Sequence, residues 1–374
     1  MTFDVDAFER VVSDVVLPHA RTIDANGEWP TEGLAALTAA GVLGLTVASD
    51  QGGGGGSMAD AALVIERLAT ACGSTAMIVL MHYAATAVIE AHGPAEVRSA
   101  IGAGSHLTTL AFSEFGSRSH FWAPAGTATI AGDRARLDAR KSWVTSARAA
   151  TSYVWSSRAV AGDAGMTLWL VPSATPGLEC GSEFDGLGLR GNGSVPVTAT
   201  GAAIDRDAQL GDDGAGLDIA LATALPWFLV LSAAFSLGLM EAVTSETGSH
   251  LSSTRLEHLG VTLIEQPIVR ADFARMRLAT DATRAFLADT LGALAAGRED
   301  AVLRVLESKA LAAEAAIDVT DLAMKVCGGA AFRKELGIER RFRDSRAARV
   351  MAPTTDALLD FVGRAVSGLP LLDA

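Results

Sequence analysis

Leu107-Thr-Thr-Leu-Ala-Phe112, then Thr127-Ala-Thr-Ile130 and the turn Ala131-Gly-Asp133, interrupt a chain otherwise patterned for helices. Short runs of this kind, rich in Thr, Leu and Ile and closed by Gly-Asp turns, predict β-strands. Ser152–Trp155, Met166–Val171 and Val195–Ile204 continue the pattern, with another Gly-Asp turn at Gly162-Asp163. Residues 106–214 therefore read as a small antiparallel barrel or sandwich.

On the N-terminal side the period changes. Asp60–Ala71 places Ala62, Leu63, Ile65, Leu68 and Ala69 on one face, with Glu66 and Arg67 opposite. That spacing predicts an amphipathic helix, and Ser74–His92 predicts a second. On the C-terminal side, Leu217–Glu246, Pro267–Ala296, Asp300–Val326 and Thr354–Val366 predict long helices. The expected class is α+β: a helical domain over 1–105, a β domain over 106–214 and a four-helix bundle over 215–374.

Composition narrows the function. Hydrophobic residues at 49% against 20% charged describe a globular chain. The 374 residues carry a net charge of −13, which argues against a nucleic-acid binder. The most apolar window, Leu225–Leu239, holds Pro226, Ser232 and Ser236, and predicts a buried helix rather than a membrane span. The acidic start, Met1-Thr-Phe-Asp-Val-Asp6, lacks the basic and apolar regions of a secretory signal, so a cytoplasmic protein is expected. Cys72, Cys180 and Cys327 form no CxxC, and no histidine pair has metal-ligand spacing. No metal site is expected. The run Gly52–Gly56 lacks the following Lys of a phosphate loop and reads as a flexible loop.

Three segments concentrate polar and aromatic groups. Ala111-Phe-Ser-Glu-Phe-Gly-Ser-Arg-Ser-His-Phe-Trp122 follows a strand and suits a pocket rim. Lys141-Ser-Trp-Val-Thr-Ser-Ala147 sets an indole beside hydroxyls, which suits a flat aromatic ligand or an ordinary strand with a core Trp. Lys325-Val-Cys-Gly-Gly-Ala-Ala-Phe332 precedes Glu339-Arg-Arg-Phe-Arg-Asp-Ser-Arg346, whose mixed charges suit an internal ion-pair network.

Taken in this order, the segments resemble the acyl-CoA dehydrogenase superfamily. Ser113-Glu-Phe115 through Ser119-His120 is similar to its T-E-P-x-x-G-S-D pattern, and Lys141–Ala147 to its K-x-W-I-T-N-A pattern. Leu187-Gly-Leu-Arg-Gly-Asn192 and the two C-terminal segments resemble further signals of the family. The resemblance implies FAD between the β domain and the C-terminal helices, with a homodimer or homotetramer completing the site. Phe112 and Ser113 would border the flavin ring, and Trp143 and Thr145 would stack near it and bond toward it. Ser119 would reach the pyrophosphate, as would Arg255 from a neighbouring subunit, although its spacing to Gly260 is one residue longer than the family's. Gly328, Gly329 and Thr354 would approach the adenine end. The implied substrate is a thioester of CoA or of an acyl carrier protein, with an unidentified electron partner.

The departures concern the chemistry. The family's dehydrogenases remove the substrate α-proton with a Glu, and in Val350-Met-Ala-Pro-Thr-Thr-Asp356 that place holds Ala352. Alanine cannot act as a base. The alternative location, Leu225–Leu231, contains no carboxylate either. Glu246 and Asp356 are the candidate replacements. The family also contains flavin-dependent oxygenases, which need no such base, and here His120 and His82 are candidate polar contacts able to shuttle a proton. The leading expectation is an oxygenase-type reaction. The alternatives are a dehydrogenase with a relocated base and a non-catalytic flavin-binding subunit.

Overall fold

The computed structural model describes residues 3–117, 120–161, 165–182 and 184–372. The N-terminal helices are α1 (Val5–Val11), α2 (Leu17–Asn26), α3 (Thr31–Ala39), α4 (Met58–Ala71), α5 (Gly73–His92) and α6 (Ala95–Gly102). Ser57 starts α4 with a capping box, its hydroxyl and the Asp60 carboxylate satisfying each other's backbone N–H groups. α5 is buried almost all round, as expected for a helix covered on every side by other elements.

Strands follow: β1 (Thr108–Ala111), β2 (Thr127–Ala131), β3 (Arg134–Val144), β4 (Ser152–Arg158), β5 (Met166–Pro172), β6 (Leu178–Cys180), β7 (Val195–Asp205) and β8 (Gln209–Leu210). They form two four-stranded sheets, ordered β1-β4-β5-β8 and β2-β3-β7-β6. The arrangement is an open pair of sheets and not a closed barrel. Nor is it wholly antiparallel, because β1 pairs with β4 in parallel. Trp155, Trp169, Tyr153, Leu137 and Val197 fill the space between the sheets.

The C-terminal part holds α7 (Gly216–Ile219), a π-helical turn Ala220–Ala224, α8 (Leu225–Ser253), the hairpin β9 (Arg255–Leu256) and β10 (Val261–Thr262), then α9 (Pro267–Ala295), α10 (Ala301–Cys327), α11 (Ile338–Val350) and α12 (Thr355–Val366). α10 packs on α8, α9, α11 and α12 and is the centre of the bundle. α8 also packs on α4. There Gly238 allows contact that a side chain would block, since a Cβ would lie 2.3 Å from the Glu66 carbonyl oxygen. α5 and α8 are long and apolar, yet their most apolar stretches are mostly buried inside the fold.

The glycine run differs from the flexible loop expected. Gly53, Gly54, Gly55 and Gly56 donate backbone hydrogen bonds to the carbonyls of Ala48, Gly44, Val47 and Leu45. A Cβ at Gly53 would lie 2.2 Å from the Val47 oxygen. The glycines are there for close backbone packing and hold an ordered turn.

Candidate active site

A cavity lies where the three parts meet, enclosing about 520 Å³ with its mouth included. α5 supplies Met81, and the end of β1 supplies Leu110, Phe112 and Ser113. Phe121 and the pair Ser142-Trp143 complete the β-domain side. The helical side is Ala220 and Ala224 of the π-turn, Leu225 and Phe228 of α8, and Ala352-Pro353 after α11. Rare π-turns of this kind recur at functional sites. Among the described residues, the lining carries no ionisable side chain.

Trp143 reaches this cavity through a bulge. In the β3–β7 ladder, Lys141 pairs with Val197 and Val144 with Val195, so Ser142 and Trp143 together face Pro196. Proline has no N–H for the ladder, and an extra residue in the opposing strand re-aims a side chain. Trp143 accordingly has φ of 57° and a side chain 66% exposed, with the Phe184 ring edge-on at 5.9 Å. Ser146 also has positive φ, at 60°. Its N–H donates to Asn192 O, while its buried Oγ has no partner. Thr145 Oγ1 lies 3.1 Å from Ser194 Oγ.

The bulge is anchored from below. Lys141 is buried, and its Nζ donates to Glu114 Oε1 at 2.6 Å and to the Ser156 carbonyl and hydroxyl at 2.7 and 2.8 Å. Burial lowers the Lys141 pKa to about 8, with the Glu114 charge opposing that shift. Glu114 Oε2 accepts from the Ala125 and Gly126 N–H groups. This pair ties the loop after β1 to β3, and so sets Ser113 and Trp143 on one wall. Lys141 and Glu114 lay inside the quoted motifs. Their pairing needed the fold, because 27 residues separate them.

The expected catalytic residues are not at the cavity. His82 is fully buried, with Nε2 bonded to Leu43 O at 2.9 Å and Nδ1 accepting from the Thr108 N–H at 3.1 Å. Burial drives its pKa down to about 4. His82 joins α5 to the start of β1 and is not among the described residues that line the cavity. His120 is exposed, its Nδ1 2.8 Å from Ser117 O and its ring edge-on to Trp122 at 4.8 Å. Its neighbour Phe121 lines the cavity instead. Glu246 is ion-paired with Arg341 at 2.8 Å, and burial raises its pKa. Asp356 is exposed in the first turn of α12. Neither carboxylate is among the described residues that line the cavity.

Of the expected cofactor contacts, Phe112, Ser113 and Trp143 converge on the cavity, and Thr145 lies buried two residues beyond Trp143. Ser119 lies outside the described residues. Arg255 sits in the β9–β10 hairpin, with Nη2 donating to Gly260 O at 2.6 Å. Gly328 and Gly329 follow α10 with open space beside each, and Thr354 caps α12 by accepting from the Ala357 N–H. None of these four lines the cavity within a single chain. Ser146, inside the same motif as Trp143, was not legible as left-handed backbone. A short hydroxyl residue carries no sign of left-handed backbone.

Family models match nearly end to end. The acyl-CoA dehydrogenase N-terminal domain matches residues 5–104, the middle domain 109–201 and the C-terminal domain 214–367. The chain belongs to the acyl-CoA dehydrogenase superfamily. Among curated relatives of this superfamily member, the short-chain specific acyl-CoA dehydrogenase of Homo sapiens mitochondria is 26% identical over 91% of this chain and 84% of its own. Butyryl-CoA dehydrogenase from Megasphaera elsdenii has the same fold, with a TM-score of 0.90 at 21% identity over 98% of this chain and 100% of that one. The FAD complex of PigA superposes with a TM-score of 0.89 at 21% identity over 98% of this chain and 99% of that one. Acyl-CoA dehydrogenases bind FAD, and this chain's residues fit that group. The outward Trp143 presents an aromatic surface to the cavity beside Phe112 and Ser113.

Proposed function

We propose that this protein is an FAD-dependent oxidoreductase acting on an acyl thioester, or a related small organic substrate, without a side-chain base in its cavity. FAD, when bound, would supply the electron-transfer chemistry. Trp143, Phe112 and Ser113 would hold the flavin ring, and the apolar wall of Met81, Phe121, Ala224 and Phe228 would take the uncharged part of the substrate. Arg255, Gly328, Gly329 and Thr354 would serve the rest of the cofactor in a homo-oligomer.

The observation that carries this reading is Ala352. It lines the cavity at the place where the family's base is expected, and among the described residues no lining side chain is ionisable. A positioned base contributes roughly 10²–10⁴-fold to proton transfer. Its absence favours chemistry in which reduced flavin meets dioxygen over α,β-dehydrogenation. That neither Glu246 nor Asp356 is among the described lining residues supports this reading over a relocated base.

The test is anaerobic mixing of the yellow holoprotein with a panel of saturated acyl-CoAs. The expected result is no rapid loss of flavin colour. The pre-reduced protein should then consume oxygen and convert a substrate. Fast stoichiometric reduction by any saturated acyl-CoA overturns the oxygenase reading. A colourless protein that takes up no added FAD overturns the flavoprotein reading itself.

A further inference from the structure

Lys309 of α10 is 1% exposed, and among the described residues no carboxylate pairs with it. Its Nζ donates to three backbone carbonyls: Ala348 at 2.9 Å, Met351 at 3.0 Å and Pro353 at 2.8 Å. An ammonium has three N–H donors and no acceptor, so the three oxygens use its capacity in full. All three belong to the end of α11 and the turn before α12, where the chain would otherwise leave its last helical carbonyls unpaired. Nζ also lies 5.9 Å from the centre of the Phe228 ring. Phe228 and Pro353 both line the cavity, as does Ala352 between two of the bonded carbonyls.

The charged groups nearby are otherwise engaged. On its own helix Glu307 sits 3.7 Å from Arg304, and Glu314 pairs with Arg349 of α11 at the surface. Asp356 of α12 is exposed. Burial draws the Lys309 pKa down to about 7.

We propose that Lys309 is a positioning residue for the cavity: its ammonium fixes the Met351–Pro353 backbone as one wall and keeps a positive charge behind that wall. This rests on the cavity being the reacting site proposed above. Electron uptake by a flavin adds negative charge, which an ammonium in a low-dielectric setting favours.

The experiment compares wild-type, K309M and K309R holoproteins at pH 6, where the lysine is mostly charged. Two quantities are read: amide hydrogen exchange across residues 350–355 and the midpoint potential of the bound flavin. In K309M the segment should exchange at least about tenfold faster, while α4 and α5 stay protected, and the potential should fall. K309R, which keeps the charge, should recover both at least in part. A folded K309M with wild-type exchange in the segment, or with wild-type potential, overturns the proposal. Should K309M not fold, K309Q takes its place. In the wild type alone, a segment 350–355 as unprotected as an exposed loop is fatal to the proposal. A protein that binds no FAD defeats the functional reading, while the exchange comparison still judges the wall.

Discussion

Trp143 and His82 show how the same residue types that suggest chemistry divide between a site and a scaffold. Trp143 is turned out of its sheet onto the cavity, so W143A should release flavin at least tenfold more readily, about 1.4 kcal/mol in binding. Retained flavin with an unchanged absorption spectrum would place the cofactor elsewhere. His82 is held neutral by burial, and its folded pKa of about 4 lies below the ordinary value of 6.5 although its two backbone partners oppose the shift. Between those values the unfolded chain binds more protons. Its contribution is therefore fully present above pH 6.5 and is lost as pH falls through about 4. It amounts to roughly 3 kcal/mol at about 1.4 kcal/mol per pKa unit. H82Q keeps a donor and an acceptor but cannot titrate. Its denaturant midpoints should fall less steeply between pH 6.5 and 4 than those of the wild type, and an identical slope would show that His82 does not carry the effect.

At the scale of elements, close packing decides. α8 meets α4 at Gly238, where the Glu66 carbonyl leaves no room for a methyl group. G238A should cost about 1–3 kcal/mol through overpacking, read as a lower urea midpoint with unchanged slope. An unshifted midpoint would mean the helices separate freely. Breaking the Lys141–Glu114 pair with K141M should cost about 3–5 kcal/mol, because it strands a buried carboxylate. E114Q should be milder, and equal effects would argue against the stranded charge. The long helices were legible from their period, and their observed ends fall close to those expected: Gly73–His92 against Ser74–His92, Pro267–Ala295 against Pro267–Ala296. The strand Arg134–Val144 was not. Its sequence, Arg-Ala-Arg-Leu-Asp-Ala-Arg, alternates charged and small residues, and only Ala135 and Leu137 show the buried face. The bulge was hidden too, since its cause, Pro196, lies on another strand. Ala352 was legible as a departure from a pattern, whereas Lys309 beneath it was not, because 44 residues separate its ammonium from the Pro353 carbonyl.

Across the whole molecule, α11 joins all three parts. Arg343 pairs with Asp24 of α2 and Glu339 of its own helix and donates to Leu187 O of the β domain. Beside it Asp344 is buried, accepting the Leu189 N–H at 2.6 Å. Burial raises its pKa to about 6 from 3.8. Its sign is opposite to that of His82: the folded chain binds the extra proton, so stability from this group is present below pH 3.8 and lost as pH rises through about 6. D344N should remove that loss, raising stability at pH 7 relative to wild type and steepening the fall toward pH 4. A D344N protein less stable than wild type at pH 7 would show that the ionised carboxylate is favoured there. The cavity itself has walls from the first helical domain, the β domain and the last turn before α12. Domains fold as units in the order of synthesis. No nascent chain shorter than Pro353 can own this cavity, however well its earlier domains have folded. Whatever fills it selects molecules whose three parts have come together, and occupancy becomes a mark of a chain that has been made at least through Pro353.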